Sequence, residues 1–96
     1  MYTIESLKSI LGPIAKRHGV KKLSVFGSVA RGEATDESDV DLLADVPDGW
    51  GLFALSGLYG DIEDALACPV DLVTTGIDDA QLLANIRKDE VILYER

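Results

Sequence analysis

The sequence predicts an α/β domain in which helices pack on a small mixed β-sheet. Short apolar runs alternate along the chain with longer segments whose apolar residues recur every three or four positions, which is typical of this layered class. Apolar residues make up 47% of the 96 positions and charged residues 27%, the balance of an ordinary globular protein. No repeat, linker or low-complexity segment divides the chain, so we expect residues 1–96 to form a single domain.

The first half of the chain reads as helix, strand, short helix and strand. Apolar residues at helical spacing predict a first helix that ends near Gly19, with a kink or a break at Gly12-Pro13. The elements that follow are a strand at 23–26, a short helix at 29–32, a polar loop at 33–38 and a second strand at 40–46.

The second half reads as helix, strand, helix and strand. From Leu52 to Leu66 the apolar positions predict a helix whose stripe faces the sheet and which ends at Cys68-Pro69. Trp50, just before it, has three open roles: helix-start packing, base stacking or partner contact. The remaining elements are a strand at 70–74, a helix capped by Asp78 or Asp79, and a strand at 91–94.

Composition narrows the classes of function. Nine basic residues face seventeen acidic ones, for a net charge of −8, so direct binding to nucleic acid is not expected. No apolar run approaches the roughly 20 residues of a membrane helix, and the amino terminus lacks a signal-peptide pattern. The single cysteine, Cys68, suits a reducing compartment. We therefore expect a cytoplasmic protein without membrane contact, to which a nucleotide could still bind through metal ions.

Asp39 and Asp41 form the first candidate site. Side chains two apart on a strand point to the same face, so these carboxylates lie side by side. Two such charges repel by roughly 4 kcal/mol at an effective dielectric near 20. A shared proton or a cation must offset that repulsion, and Mg²⁺ is the ion that prefers oxygen ligands and phosphate partners.

Asp71 is the third candidate carboxylate. It is the only acidic residue of the apolar run Val70-Asp71-Leu72-Val73, where burying a bare charge would be costly. We expect it at the edge of that strand, facing a ligand or a metal. Three carboxylates on neighbouring strands suit a two-metal site for displacement at phosphorus.

The turn at Gly27-Ser28 is the candidate phosphate site. It follows a strand and opens a short helix, a geometry in which backbone N–H groups can hold a phosphate. Arg31 could reach the same phosphates or brace the acidic loop, and its simpler interpretation is a surface ion pair. Ser38 has two open roles, a phosphate contact or a cap on the turn before Asp39.

Gly27-Ser28-x-x-Arg31-Gly32 followed by Ser38-Asp39-x-Asp41-Leu42 resembles the signature of the minimal nucleotidyltransferases, in the polymerase-β-like superfamily. The resemblance covers essentially the whole chain. It implies that fold, ATP as substrate and two Mg²⁺ ions. Asp39 and Asp41 would ligate both metals, Asp71 would complete one and help to deprotonate the attacking hydroxyl, and Gly27 and Ser28 would hold the triphosphate.

The resemblance also implies a partner. Minimal nucleotidyltransferases resemble the antitoxin half of toxin–antitoxin pairs, in which AMP is moved from ATP onto a tyrosine of a HEPN-type toxin. Two other hypotheses stay open: a non-catalytic module that neutralises its partner by docking, and a transferase for a small molecule. The sequence leaves open a homo-oligomer or a hetero-oligomer with the toxin.

Overall fold

The computed structural model describes residues 2–35, 37–76 and 78–96. Helices and strands alternate along the chain, which confirms the predicted α/β class with a mixed sheet. The helices are α1 (Ile4–His18), α2 (Gly27–Ala30), α3 (Leu52–Leu66) and α4 (Ala80–Asp89). The strands are β1 (Lys22–Phe26), β2 (Val40–Asp45), β3 (Val70–Thr74) and β4 (Val91–Glu95).

The four strands form one sheet in the order β3-β2-β1-β4. Strand β1 is antiparallel to both β2 and β4, whereas β2 and β3 run parallel. The register sets Phe26 opposite Asp41 and places Asp41 beside Asp71. The end of β1 and the starts of β2 and β3 therefore meet at one end of the sheet, where all the candidate site residues lie.

One face of the sheet carries the hydrophobic core beneath α1 and α3. Val40, Leu42 and Ala44 of β2 pack there with buried leucines and isoleucines of both helices. Because side chains alternate along a strand, Asp41 projects from the opposite face. The sequence thus anchors β2 through alternate apolar residues and leaves its first acidic residue available to ligands.

Helix α1 begins with a capping box and continues through its proline. The Ser6 N–H donates to Thr3 Oγ1 at 3.1 Å and the Thr3 N–H donates to Ser6 Oγ at 2.9 Å. The helix runs unbroken past Pro13 and ends at Gly19, whose φ of 79° is left-handed. The predicted break at Gly12-Pro13 is therefore wrong, because the buried stripe containing Leu11 and Ile14 holds both halves against the core.

Helix α2 begins two residues earlier than the sequence suggests. It spans Gly27–Ala30 rather than 29–32, because the chain turns directly at the end of β1. The Gly32 N–H donates to the Val29 carbonyl at 3.1 Å, and Gly32 has a φ of 74°, which ends the turn. The polar loop follows as predicted, except that Asp36 lies outside the described residues.

Helix α3 buries only part of its predicted stripe. Leu58, Ile62 and Leu66 are buried, but Leu52 is 78% exposed. The expectation that Leu52 faces the sheet is therefore wrong. Strand β3 is the last strand at this edge, so no further strand covers the first turns of the helix.

Helix α4 is capped by the second of the two candidate aspartates. The Leu82 N–H donates to Asp79 Oδ1 at 3.0 Å. The last strand, β4, then returns along β1, and Ser24 in the middle of β1 donates to Glu90 Oε2 at 2.5 Å.

None of the helices in the described ranges is long and apolar enough to cross a membrane.

Candidate active site

Asp41 and Asp71 form a carboxyl pair across the two parallel strands. They are register partners on β2 and β3, and their side chains are close enough to share a hydrogen bond. Asp41 is half-buried, whereas Asp71 is exposed. The sequence predicted both residues as site residues, and the parallel pairing of β2 with β3 brings them together.

The pKa of Asp41 is raised from its usual 3.8 to about 6. Burial is the largest cause, the contact with Asp71 and the charges of Asp71 and Asp39 add to it, and the charge of Arg31 opposes them. Among the described residues, no lysine, arginine or histidine forms an ion pair with Asp41 or Asp71. No ion pair with a cationic side chain among the described residues therefore offsets the charge of the pair, and a bound cation could do so.

Asp39 is exposed at the mouth of this site, one residue before β2. Its charge acts on Asp41, which places it within electrostatic range of the pair. Within residues 2–35, 37–76 and 78–96, no three acidic, histidine or cysteine side chains converge into a complete metal site. An ion held by these carboxylates would need further oxygen ligands from phosphate or water, which is the usual arrangement for Mg²⁺.

Gly27 packs directly against the Asp41 carboxyl group. Its φ of 72° is left-handed, a conformation that favours glycine. A Cβ atom at this position would lie 3.2 Å from the Asp41 carboxyl carbon and still closer to Oδ2. Glycine is therefore needed both for the turn and for the space beside Asp41. Ser28 follows in α2, half-buried, and its carbonyl accepts from the Glu33 N–H at 2.8 Å.

Arg31 braces the acidic loop and ties it to α4. Its Nε donates to Glu33 Oε1 at 3.1 Å and its Nη1 donates to Asp89 Oδ2 at 2.9 Å. These hydrogen bonds raise the pKa of Arg31. In this arrangement Arg31 braces the loop through ion pairs, and the phosphate contact considered for it stays a prediction. Asp89 lies 58 positions away in sequence, and only the tertiary fold identifies it as a partner.

Ser38 closes the turn that leads into Asp39. The Thr35 N–H donates to Ser38 Oγ at 2.9 Å, and the Ser38 N–H donates to the Thr35 carbonyl at 3.0 Å. Ser38 thus caps this turn, and the phosphate contact considered for it stays a prediction. The turn sets the path of the chain into β2 and so helps to position Asp39.

An exposed apolar surface beside Asp71 was missed in the sequence. Leu52 and Phe53, 78% and 96% exposed, open α3, and a cavity of about 220 Å³ lies between α3 and β3. Two adjacent bulky apolar residues at a helix start are more than one helix face can bury, and this is the signal that could have revealed the surface. Trp50 is half-buried and packs against the core, in line with the packing role.

Comparisons with known proteins agree with this geometry. Residues 7–94 match the family described as "Nucleotidyltransferase domain". Protein adenylyltransferase MntA of Thermococcus cleftensis is 40% identical over 77 residues, which cover 76% of this chain and 78% of that protein.

Solved structures extend the comparison. A structure assigned to a minimal nucleotidyltransferase is 32% identical and superposes with a TM-score of 0.79, covering 94% of this chain and 95% of that one. A chain from the complex of an MNT antitoxin with tri-AMPylated Shewanella oneidensis HEPN toxin is 17% identical, with a TM-score of 0.75. That match covers 98% of this chain and 74% of the other, and it shows likeness of fold alone. The carboxyl pair, the glycine turn and these matches together establish that the chain belongs to the nucleotidyltransferase domain family, as a minimal nucleotidyltransferase.

Proposed function

We propose that this protein is a Mg²⁺-dependent adenylyltransferase that moves AMP from ATP onto a tyrosine of a HEPN-type toxin and thereby neutralises it. The observation that supports this most is the Asp41–Asp71 carboxyl pair, set against the Gly27 turn at one end of the sheet. The 40% identity to a protein adenylyltransferase supports AMP as the transferred group. The fold shared with an MNT antitoxin complex supports a toxin as acceptor.

The residues present fit magnesium. Carboxylate oxygens are its preferred protein ligands, and Asp41 and Asp71 lie together with no cationic partner among the described residues. Asp39, Asp41 and Asp71 would hold two Mg²⁺ ions. When bound, the metal would offset the carboxylate charges and polarise the phosphate that is attacked.

The chain's own groups have separate roles in this reaction. Gly27 lets the backbone approach the triphosphate closely, and the Ser28 hydroxyl donates to a phosphate oxygen. Asp71, exposed on the edge strand, accepts the proton of the acceptor hydroxyl. The hydroxyl oxygen then bonds to the α-phosphorus, the bond to the bridging oxygen breaks, and pyrophosphate leaves. Arg31 positions the loop through Glu33 and Asp89, and its guanidinium could also reach the phosphates.

The acidic surface favours a protein acceptor over a nucleic acid. Residues 32–86 include β2 and β3, the strands that carry Asp41 and Asp71, and contain no lysine, arginine or histidine. Such a surface cannot neutralise a phosphate backbone, whereas it suits a protein that carries positive charge.

The test is the intact mass of a HEPN-type protein encoded beside this one, after incubation with this protein, ATP and Mg²⁺. The Asp39→Asn/Asp41→Asn double variant is the control. We expect the partner to gain one or more AMP units with the wild type only, and peptide mapping to locate them on tyrosine. An unmodified partner in a stable complex would contradict the transferase and favour a docking module.

A further inference from the structure

We propose that the first turns of α3 and the neighbouring edge strand β3 form the surface on which the acceptor protein docks. This surface, which we call the α3 patch, consists of Leu52, Phe53, Leu55, Tyr59 and Leu72. We infer that the partner presents an apolar centre ringed by lysine and arginine side chains. The inference rests on the proposed function, because it assigns the acceptor's position at that same site.

Exposure singles out this part of the molecule. Leu52 and Phe53 are 78% and 96% exposed, whereas the other two large exposed hydrophobic residues in the described ranges, Leu82 and Ile92, are 45% and 41% exposed. The cavity of about 220 Å³ beside Leu52 is lined by Leu55, Ser56, Tyr59 and Leu72. An exposed aromatic side chain next to an open apolar cavity is the arrangement from which interface anchors are built.

The α3 patch lies at the same sheet edge as the proposed proton acceptor. Leu72 is the residue after Asp71 on β3, so the two side chains lie on opposite faces of the strand, and β3 is an edge strand with β2 on one side only. The Tyr59 hydroxyl donates to Glu63 Oε2 at 3.1 Å, which raises the pKa of Tyr59, and the charge of Asp71 raises it further. Tyr59 is therefore within the electrostatic range of Asp71. A protein seated on the patch would reach the carboxyl pair by extending around the free edge of β3.

Charge identifies the kind of partner. Residues 32–86 carry thirteen of the seventeen acidic residues and none of the nine basic ones. This segment includes β3 and β2, which form one half of the sheet, and the helix α3 between them in sequence. Glu63 and Asp64 are exposed on α3, which itself has no basic residue. A ring of lysine and arginine side chains on the partner would be electrostatically complementary to these acidic residues around the α3 patch.

The same charge argues against a second copy of this protein on the α3 patch. A two-fold symmetric dimer would place each acidic rim against its own copy, and like charges in contact oppose association. An asymmetric contact with the basic side of another copy would repeat without closing and produce chains rather than a defined dimer. The acceptor protein is therefore the occupant that we propose.

The test compares Leu52→Gln/Phe53→Gln with a matched control, Leu82→Gln/Ile92→Gln, which changes the other exposed hydrophobic residues. Binding and AMP transfer are measured with the HEPN-type protein as acceptor, and the affinity for Mg²⁺-ATP is measured without it. We expect the patch variant to raise the Kd of the complex and the KM for the acceptor by about tenfold or more. Its kcat and its affinity for Mg²⁺-ATP should stay at the wild-type values, as should every value for the control.

A charge variant makes the test independent of packing. Glu63→Lys/Asp64→Lys should also weaken the complex, and it should reduce the dependence of the Kd on salt. Thermal unfolding of each variant is recorded so that loss of binding is compared among folded proteins only.

The outcomes separate this inference from the proposed function. A complex that forms without AMP transfer would contradict the proposed function, and its Kd would still report on the α3 patch. An unchanged Kd and KM in the patch variant, or a loss confined to the control variant, would overturn the docking surface. Light scattering measures the oligomeric state of each protein. If the wild type and the control variant were dimers and the patch variant a monomer, the occupant of the α3 patch would be a second copy, and the proposal of an acceptor protein there would be overturned as well.

Discussion

Asp41 and Asp61 are both half-buried aspartates, and the fold surrounds them with opposite charges. Asp61 on α3 accepts from Arg17 Nη2 at 2.9 Å and lies 2.6 Å from His18 Nε2, and these contacts lower its pKa. Asp41 lies beside another carboxyl group, and its pKa is raised to about 6. The first aspartate is satisfied within the protein and joins α3 to α1, whereas the second forms no ion pair with a cationic side chain among the described residues.

The contrast distinguishes a structural acid from a functional one. A carboxylate that accepts hydrogen bonds from an arginine and a histidine stabilises the folded chain, while one held among other carboxylates destabilises it until a ligand binds. Proteins often retain such destabilising groups where activity requires them. We therefore expect substitution by asparagine to change stability in opposite directions at Asp41 and at Asp61.

The largest expected difference is in catalysis. Asp41→Asn should reduce AMP transfer at least about a thousandfold, because it removes a proposed ligand of both metal ions. Asp61→Asn should leave the rate within about threefold of wild type, since the hydrogen-bond partners of Asp61 in the described part of the chain are Arg17 and His18 of α1. Initial rates with radiolabelled ATP measure both. An Asp41→Asn rate within tenfold of wild type would contradict the proposed role of Asp41.

Gly27→Ala should lower both stability and activity. The left-handed φ costs an alanine about 1 kcal/mol, and the clash with the Asp41 carboxyl adds about 1–3 kcal/mol. Gly49→Ala is the matched control, because Gly49 has a φ of 88° with nothing within 4 Å of an added Cβ. Gly49→Ala should lose only the stability that the left-handed φ costs an alanine, without the part due to a clash. Urea unfolding at pH 7 compares the two, and equal losses would show that the clash with Asp41 is absent.

The stability of Asp41→Asn should depend on pH. Because the pKa of Asp41 is raised by folding, its contribution to stability is fully present below 3.8 and is lost as pH rises through about 6. For a fully buried carboxyl group, this pKa shift would lower the free energy of unfolding by about 3 kcal/mol between acidic and neutral pH. The partial exposure of Asp41 reduces this loss to roughly 1 kcal/mol. Asp41→Asn should therefore unfold at a higher temperature than wild type at pH 7.5 without Mg²⁺, and the gain should vanish near pH 4. A constant difference across this range would contradict the shared-proton interpretation.

Asp61→Asn should have the smallest effect on stability, and it should destabilise the protein at neutral pH, where Asp41→Asn stabilises it. The lowered pKa of Asp61 means that its contribution is present above 3.8 and is lost as pH falls through the folded-state value. The variant should unfold at a slightly lower temperature than wild type at pH 7, and the difference should shrink at more acidic pH and at high salt. Differential scanning calorimetry at three pH values measures it.

The parts of the site that depend on local periodicity were predictable from the sequence. Asp39-Val40-Asp41 follows from the two-residue repeat of a strand, and Gly27 from the need for a tight turn after β1. The contact between Asp41 and Asp71 depends on a parallel pairing between strands 30 positions apart, which no local pattern fixes. The partner of Arg31 on α4 and the exposure of Leu52 at the sheet edge likewise depend on tertiary placement.

The division of charge along the chain also has a consequence for how quickly this protein would associate with the proposed partner. With a net −13 on residues 32–86 and +5 on the rest of the chain, from nine basic and four acidic residues, the molecule has a large permanent dipole. In dilute buffer such a dipole turns the acidic side toward an approaching cationic protein before contact, which raises the fraction of collisions in a productive orientation. The association rate constant should therefore depend on ionic strength much more strongly than the dissociation rate constant does.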